Sequence, residues 1–346
     1  MLEMVEMVLH HNPLSDDQKF LILWVMSVTS TVSMIGAAWM ACCIIRYGRL
    51  SMLSNRLLLY LALNDIMFNV SDLLMLVTNY TTNEGICIAH GVFYSFAQMT
   101  IPLLTFVIAF NLFSVVVMKR ENMARREKYY LLFVYGLSAF LALLPLTTQG
   151  YGKANSQYRC WIRISQNQTD KEISIAHMWR SISVFIIPLL CMFGIIFCYT
   201  CIYLRVKKLT RLANASNREE TSLQTHIRKE QRKRQGSLLK RLFWYPVIFV
   251  CLWITPIIRR LYNFNNGHEV IALIVLQYGT YTLTGLLNAI VWGILNPELV
   301  ICVKKIPASE PSYDSSTISN FSKESMDTNN SITQTDKPNY QSLDVA

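Results

Sequence analysis

The sequence predicts an all-α membrane protein: a seven-transmembrane helix bundle with its N-terminus outside, a short amphipathic helix 8 and a disordered C-terminal tail. Three observations carry this. Of 346 residues, 52% are hydrophobic and 16% charged, against about 25% charged in an ordinary soluble domain. The apolar residues fall into seven blocks, each near the ~20 residues that cross ~30 Å of hydrocarbon. The net charge of +10 lies between those blocks. Mean hydropathy is +0.30. Basic residues that flank apolar segments suit a membrane rather than nucleic acid, so a free-standing nucleic-acid-binding domain is excluded.

Residues 1–19 lack an apolar stretch behind a basic flank, so they read as a short extracellular N-terminus, and the first span serves as its own uncleaved signal. The spans are Phe20–Ile45, Leu57–Thr78, Gly91–Val117, Tyr129–Gln149, Ser181–Leu204, Leu242–Ile258 and Val270–Leu295. On softer criteria the sixth runs from Leu238 to about Tyr262. Within them the only acidic or basic residues are Asp65 and Asp72. Each central charge costs ~2.5–3.5 kcal/mol on insertion scales, so this sparsity marks lipid-embedded helices. Barrel strands would alternate polar and apolar over ~10 residues, and these do not. The loops joining spans 1–2, 3–4 and 5–6, with the tail, hold 24 of the 32 Lys and Arg. The positive-inside rule puts those loops in the cytoplasm and the N-terminus outside. The membrane body is then 20–306, with a third cytoplasmic loop at 205–241. Glu298–Ile306 reads as a short amphipathic helix, with Cys302 on it a site for palmitoylation or an unmodified thiol. Residues 307–346, with nine Ser and four Thr, form a tail without apolar periodicity.

The second span is chemically unusual. Asn64, Asp65, Asn69 and Asp72 interrupt it, and Asp65, Asn69 and Asp72 share one face, since spacings of three, four and seven return to the same side of a helix. Lipid offers them no partners, so the stripe faces the bundle interior. It is either a polar core that changes partners when the bundle rearranges or a static clamp. In the seventh span Gly285, Ala289 and Gly293 make a small-residue seam for close helix packing. Pro145, Pro188, Pro246 and Pro256 bend their spans, with Pro256 a pivot or a fixed kink. Arg259 and Arg260 at the outer end of span six, and Arg180 at the start of span five, are candidates for an anionic ligand or for snorkelling to headgroups. Tyr94 and Gln98, one turn apart near the top of span three, and Gln277 complete the candidate ligand set with Asp72.

Of nine cysteines, only Cys87 and Cys160 fall in the outer loops. In an oxidising compartment each has one possible partner; otherwise both are free thiols. Asn79 and Asn167 begin glycosylation sequons on the same side. The basic run that includes Arg232, Lys233 and Arg234 is a docking surface for a signalling partner or a lipid-attracted topology determinant, with membrane lipid as its partner.

Several blocks carry a family resemblance. Met118-Lys119-Arg120-Glu121 with Glu127-Lys128-Tyr129-Tyr130-Leu131 resembles the second cytoplasmic loop of cyclic-AMP-receptor-like (class E) G-protein-coupled receptors, a group with some overlap with secretin-like receptors. Arg159-Cys160-Trp161-Ile162 matches that family's second extracellular loop. Cys251-Leu252-Trp253, followed by Arg260-Leu261-Tyr262-Asn263, is similar to its sixth helix, and Asn296-Pro297 closes the seventh. The resemblance implies a plasma-membrane receptor for an extracellular small molecule (cyclic AMP, a nutrient or another) that activates a heterotrimeric G protein. It also implies a Cys87–Cys160 bridge, a switch role for Trp253, and G-protein contacts at Lys119, Arg120, Arg125, Arg126, Arg232, Lys233 and Arg234. Arrestin-like proteins or kinases would act on the tail. There is no Asp-Arg-Tyr at the end of span three, where Val117-Met118-Lys119-Arg120 stands instead.

A transporter or channel is the alternative, with Asp65 and Asp72 as its ion path. Transporters usually show repeats and broken helices, and neither is expected here. The histidines (His10, His11, His90, His177, His226 and His268) are expected in loops or at helix edges. No metal site, cofactor or nucleophile–base pair is expected, so no enzyme is predicted.

Overall fold

The structure is a computed structural model. It describes residues 15–48, 50, 52–78, 83–119, 123–153, 160–163, 169–215, 247–259, 261–262 and 270–296. The expected amphipathic helix, the tail, the sequon residues Asn79 and Asn167, Arg120, Arg260 and the 232–234 run lie outside the described residues.

Three helices begin ahead of their apolar blocks because polar caps extend them. Helix α1 (Asp16–Tyr47) begins behind Ser15, whose side chain accepts from the Gln18 amide while Gln18 answers back to the Ser15 amide, a capping box. Helix α2 spans Leu53–Thr78. Helix α3 (Glu84–Val116) starts behind an Asn83 cap, seven residues before the expected Gly91. Cys87 and His90, expected in a loop or at a helix edge, are therefore in the first turns of α3. Helix α4 (Glu127–Leu143) tightens at Pro145 into a 3-10 turn, Leu144–Thr148. A short antiparallel hairpin follows, β1 (Tyr151–Lys153) paired with β2 (Cys160–Ile162), with Gly152 opposite Trp161.

The fifth span is a composite. Helix α5 (Asp170–Ser181), capped by Thr169 and Glu172, runs through a π turn (Ile182–Ile186) into α6 (Ile187–Ala215). Its inner end takes the first eleven residues of the expected third cytoplasmic loop into the helix. Helix α7 covers Val247–Arg259 within the sixth span. The seventh is not one helix but two, α8 (Ile271–Thr282) and α9 (Thr284–Leu295), bent by 46° at Leu283. The expectation of unbroken helices fails here, for a reason given below. Five described helices are each long and apolar enough to cross a membrane, and the bent pair makes a sixth span; α7 is apolar but shorter.

Helix α3 is the central post. It packs on α2, α4, α6 and both strands, and 72% of its most apolar window is buried, against 28% for α1 and 22% for α4. The outward faces of α1, α4 and α6 carry exposed Trp24, Phe140 and Phe197. Such rings belong in a hydrocarbon solvent, not water.

Candidate functional site

The polar stripe of α2 is fully inside: Asn64, Asp65, Asn69 and Asp72 are all buried. A buried polar group left without a partner costs ~1–3 kcal/mol, and three neighbouring helices supply partners. Asn64 Nδ2 donates to the Ala97 carbonyl of α3 at 3.2 Å. Asn69 Nδ2 donates to the Asp65 carbonyl at 2.7 Å and to Ser33 Oγ of α1 at 3.2 Å. Asn288 Nδ2 of α9 donates to Asp65 Oδ2 at 2.9 Å. The stripe thus ties α1, α3 and α9 to α2.

The same network explains the broken seventh span. The first N–H groups of any helix lack acceptors in their own helix. Ser33 Oγ takes two of them, from Gly285 at 3.1 Å and Leu286 at 3.3 Å. A hydroxyl on α1 replaces the acceptors lost at the break, which lets the span bend without proline. Gly285 permits the approach: a Cβ there would lie 2.9 Å from the Ser33 carbonyl oxygen and 3.0 Å from Ala37 Cβ. The small-residue seam is a packing seam at this position.

Beside the polar stripe runs a column of rings. Tyr94 of α3 meets Phe68 of α2 at 5.6 Å between centroids. Phe68 meets Tyr281 of α8 edge-on at 5.0 Å, Tyr281 meets Trp253 of α7 edge-on at 5.1 Å, and Trp253 meets Phe249 at 5.7 Å. These separations suit tilted and T-shaped pairs, which are favoured over flat sandwiches. One continuous path joins spans two, three, six and seven.

The hairpin roofs this column. Cys87 and Cys160 form a disulfide, with Cα atoms 5.1 Å apart. Trp161 is buried, sits 6.2 Å edge-on from Tyr94, and donates its Nε1–H to Ser95 Oγ at 3.0 Å. Tyr151 donates to the Ala142 carbonyl at 2.8 Å, and its burial pushes the phenol up to about 12, so it stays a neutral donor. His90 Nε2 lies 2.9 Å from the Ser71 carbonyl, next to Asp72. Arg180 is not at the pocket mouth. It is buried, donates twice to the Ile162 carbonyl at 2.6 and 3.2 Å, and lies over the Trp161 ring. It clamps the hairpin, and its burial there does not fit a side chain snorkelling to headgroups.

The structure brings the sequence-selected residues together in two groups. Tyr94 and Gln98 are both buried along α3, Tyr94 beneath the hairpin. The Oε1 atom of Gln98 has no hydrogen-bond partner among the described residues. Arg259 and Gln277 meet at the outer ends of spans six and seven, with Arg259 Nη1 2.9 Å from Gln277 Oε1 and its guanidinium over the Tyr278 ring. Trp253 and Pro256 are buried in α7. On the inner side, Lys119 has a left-handed φ of 52°, and Arg125 and Arg126 are exposed on a 3-10 turn, Met123–Arg126. Sequence reasoning did not single out Phe68, Tyr281, Ser33 or Asn288. Asn288 had a usable signal, as a lone amide in an apolar run. The others depend on which helix faces which. Among the described residues no three His, Cys, Asp or Glu side chains are placed to hold a metal ion.

Fold and site define a multi-pass helical membrane protein with a roofed outer end and a polar core. Residues 36–297 match the model of the 7 transmembrane receptor (rhodopsin family), and the chain belongs to that family. It is a receptor family rather than a class of enzymes. The chain is 27% identical over 267 residues to G-protein coupled receptor 1 of Arabidopsis thaliana, covering 76% of this chain and 75% of the relative. Its fold matches the crystal structure of squid rhodopsin with a TM-score of 0.64 at 14% identity, over 94% of each chain. The expectation of a G-protein-coupled receptor therefore holds, but the family matched is the rhodopsin one and these matches give no support to the cyclic-AMP-receptor-like group; the transporter alternative is not favoured.

Proposed function

We propose that this protein is a plasma-membrane receptor that passes an extracellular small-molecule signal to a heterotrimeric G protein. The supporting observation is the aromatic column from Trp161 in the roof to Trp253 in span six. A ligand that repositions Tyr94 or Phe68 has a packed route to the helix whose inner end borders the third cytoplasmic loop. A ligand shifts the bundle only by its difference in affinity between two states, and packed rings pass on such differences because they rearrange discretely.

The candidate ligand contacts are Asp72, Tyr94, Gln98, Arg259, Arg260 and Gln277. They combine an aromatic wall, a carboxylate and an arginine pair, a set suited to a small polar ligand with an anionic group. The loop motifs resemble cyclic-AMP-receptor-like receptors, so cyclic nucleotides lead the ligand panel, followed by sugars and amino acids. The inner contacts would be Lys119, Arg120, Arg125, Arg126 and the 232–234 run, with arrestin-like proteins and kinases acting on the tail.

The test is a G-protein dissociation assay in cells screened with that panel. The expected result is a ligand-dependent response lost in Tyr94→Ala and Arg259→Ala at unchanged surface expression. Ion currents or substrate uptake without any G-protein response would overturn the reading in favour of transport.

A further inference from the structure

Val117-Met118-Lys119-Arg120 ends span three without an acid, so an acid–arginine pair at that position is unavailable to hold the second cytoplasmic loop. The acid lies elsewhere. Glu127, the first residue of α4, puts Oε2 2.9 Å from Arg56 Nη2 and accepts a hydrogen bond at Oε1 from the Tyr60 hydroxyl at 2.8 Å. Both oxygens are used, and both partners come from α2. Arg56 also donates to the Leu50 carbonyl at 3.0 Å, so the first cytoplasmic connection joins the same cluster. Only 25% and 19% of the Arg56 and Glu127 side chains are exposed. This shields the pair more than an ordinary surface ion pair, whose worth is usually under ~1 kcal/mol.

The neighbourhood gives the cluster its leverage. Lys119, Arg120, Arg125, Arg126 and Lys128 outnumber the two acids of this segment, Glu121 and Glu127, and Glu127 is the one that meets Arg56 of α2. It is the counter-charge at the contact between the loop and α2. Without it Arg56 and the loop repel each other. Arg125 and Arg126 sit on the turn immediately before Glu127, so their placement follows from where Glu127 is held.

We propose that Arg56, Tyr60 and Glu127 are positioning residues that hold the second cytoplasmic loop, and with it Arg125 and Arg126, in the place from which a G protein is engaged. This deepens the receptor reading and rests on it. None of the three needs to touch the partner.

The test uses the full chain in nanodiscs and two readouts. Limited trypsin cleavage after Lys119 and Arg120, away from the substituted position and normalised to cleavage after Lys323, reports loop placement without any partner. Nucleotide exchange on purified GDP-loaded heterotrimeric G protein, without added ligand, reports engagement. Glu127→Ala is expected to raise the cleavage rate about five-fold, the scale of one lost favourable contact, and to lower exchange in parallel. Tyr60→Phe should do the same more weakly. The exchanged pair R56E/E127R should restore both readouts, which a merely misfolded loop would not. Unchanged cleavage in Glu127→Ala, or no restoration in the exchanged pair, overturns the positioning role. Faster cleavage with unchanged exchange overturns the link to the G protein, and increased exchange would make the cluster an inhibitory lock instead. If the wild-type chain drives no exchange on any G protein even with the ligand panel added, the receptor reading itself fails, while the trypsin result still decides where the loop is held.

Discussion

Between α1 and α9 the two backbones nearly touch across small residues; α3 and the outer hairpin are joined by large rings and a disulfide. At the first contact Gly36 faces Leu286 Cα, at 2.9 Å from where a Cβ would be, and Gly285 faces Ser33. The adhesive is one hydroxyl taking two amides. At the second, Tyr94, Trp161 and Phe68 fill the gap and a disulfide closes it. Lipid tails are as apolar as leucine, so helices inside the bilayer gain little from burying apolar surface against each other, and close packing and hydrogen bonds decide. The hairpin lies at the outer edge, where burying large rings away from water is itself favourable. The small-residue contact tolerates almost no change in volume. The aromatic contact tolerates changes of shape if volume is kept.

The strongest way to break this contrast is Gly285→Leu. The added side chain starts against backbone, which cannot move aside as a side chain end can. Overpacking usually costs ~1–3 kcal/mol and more where backbone is in the way, so on the order of 3 kcal/mol is expected. The check is the monomeric fraction recovered from membranes in mild detergent, which should collapse. Recovery equal to wild type would show that α1 and α9 are not pressed together.

Next in size is Cys87→Ser, which attacks the other contact. A bridge closing a long loop contributes about 2–4 kcal/mol, so the melting midpoint of the purified receptor should fall clearly. Reducing agent added to wild type should reproduce the fall. The α1–α9 seam should be untouched, so the monomeric fraction at low temperature should survive. Loss of that fraction would mean that the two contacts are not independent.

Ser33→Ala tests whether the hydroxyl is the adhesive. It leaves the Gly285 and Leu286 amides and one Asn69 hydrogen without their acceptor. A buried donor stranded in this way costs ~1–3 kcal/mol, and about 2 kcal/mol is expected in total because Asn69 keeps its bond to the Asp65 carbonyl. Ser33→Thr should recover part of it. A Ser33→Ala variant that melts with wild type would show that packing alone holds the bend.

What could be read from the chain follows the same division. The polar stripe of α2 was legible because carboxylates and amides in an apolar span have no other explanation, and Gly285 was legible because small residues at spacing four have a known use. The partners were not. That Asp65 meets Asn288, 223 residues away, is a property of which helices face each other, and periodicity alone leaves that open. The break at Leu283 was invisible for a related reason: no proline marks it, and its cause is Ser33 on another helix. Arg180 was misjudged because its position at a span's outer end suggested solvent. Instead, the hairpin folds over it and offers the Ile162 carbonyl.

The smallest effect gives the sharpest view of the aromatic contact. Trp161 contributes there in two separable ways, through ring burial and through the Nε1–H bond to Ser95. Trp161→Phe keeps most of the ring and removes the donor, leaving Ser95 Oγ to find another partner, at a cost of about 1 kcal/mol. Trp161→Ala removes both and should cost ~3 kcal/mol or more. If burial dominates, Trp161→Phe stays close to wild type in melting midpoint, and adding Ser95→Ala to it changes little further, since the hydrogen bond is already gone. If Trp161→Phe loses as much as Trp161→Ala, the hairpin is held by its hydrogen bond, as Ser33 holds α9, and the supposed difference between the two contacts disappears.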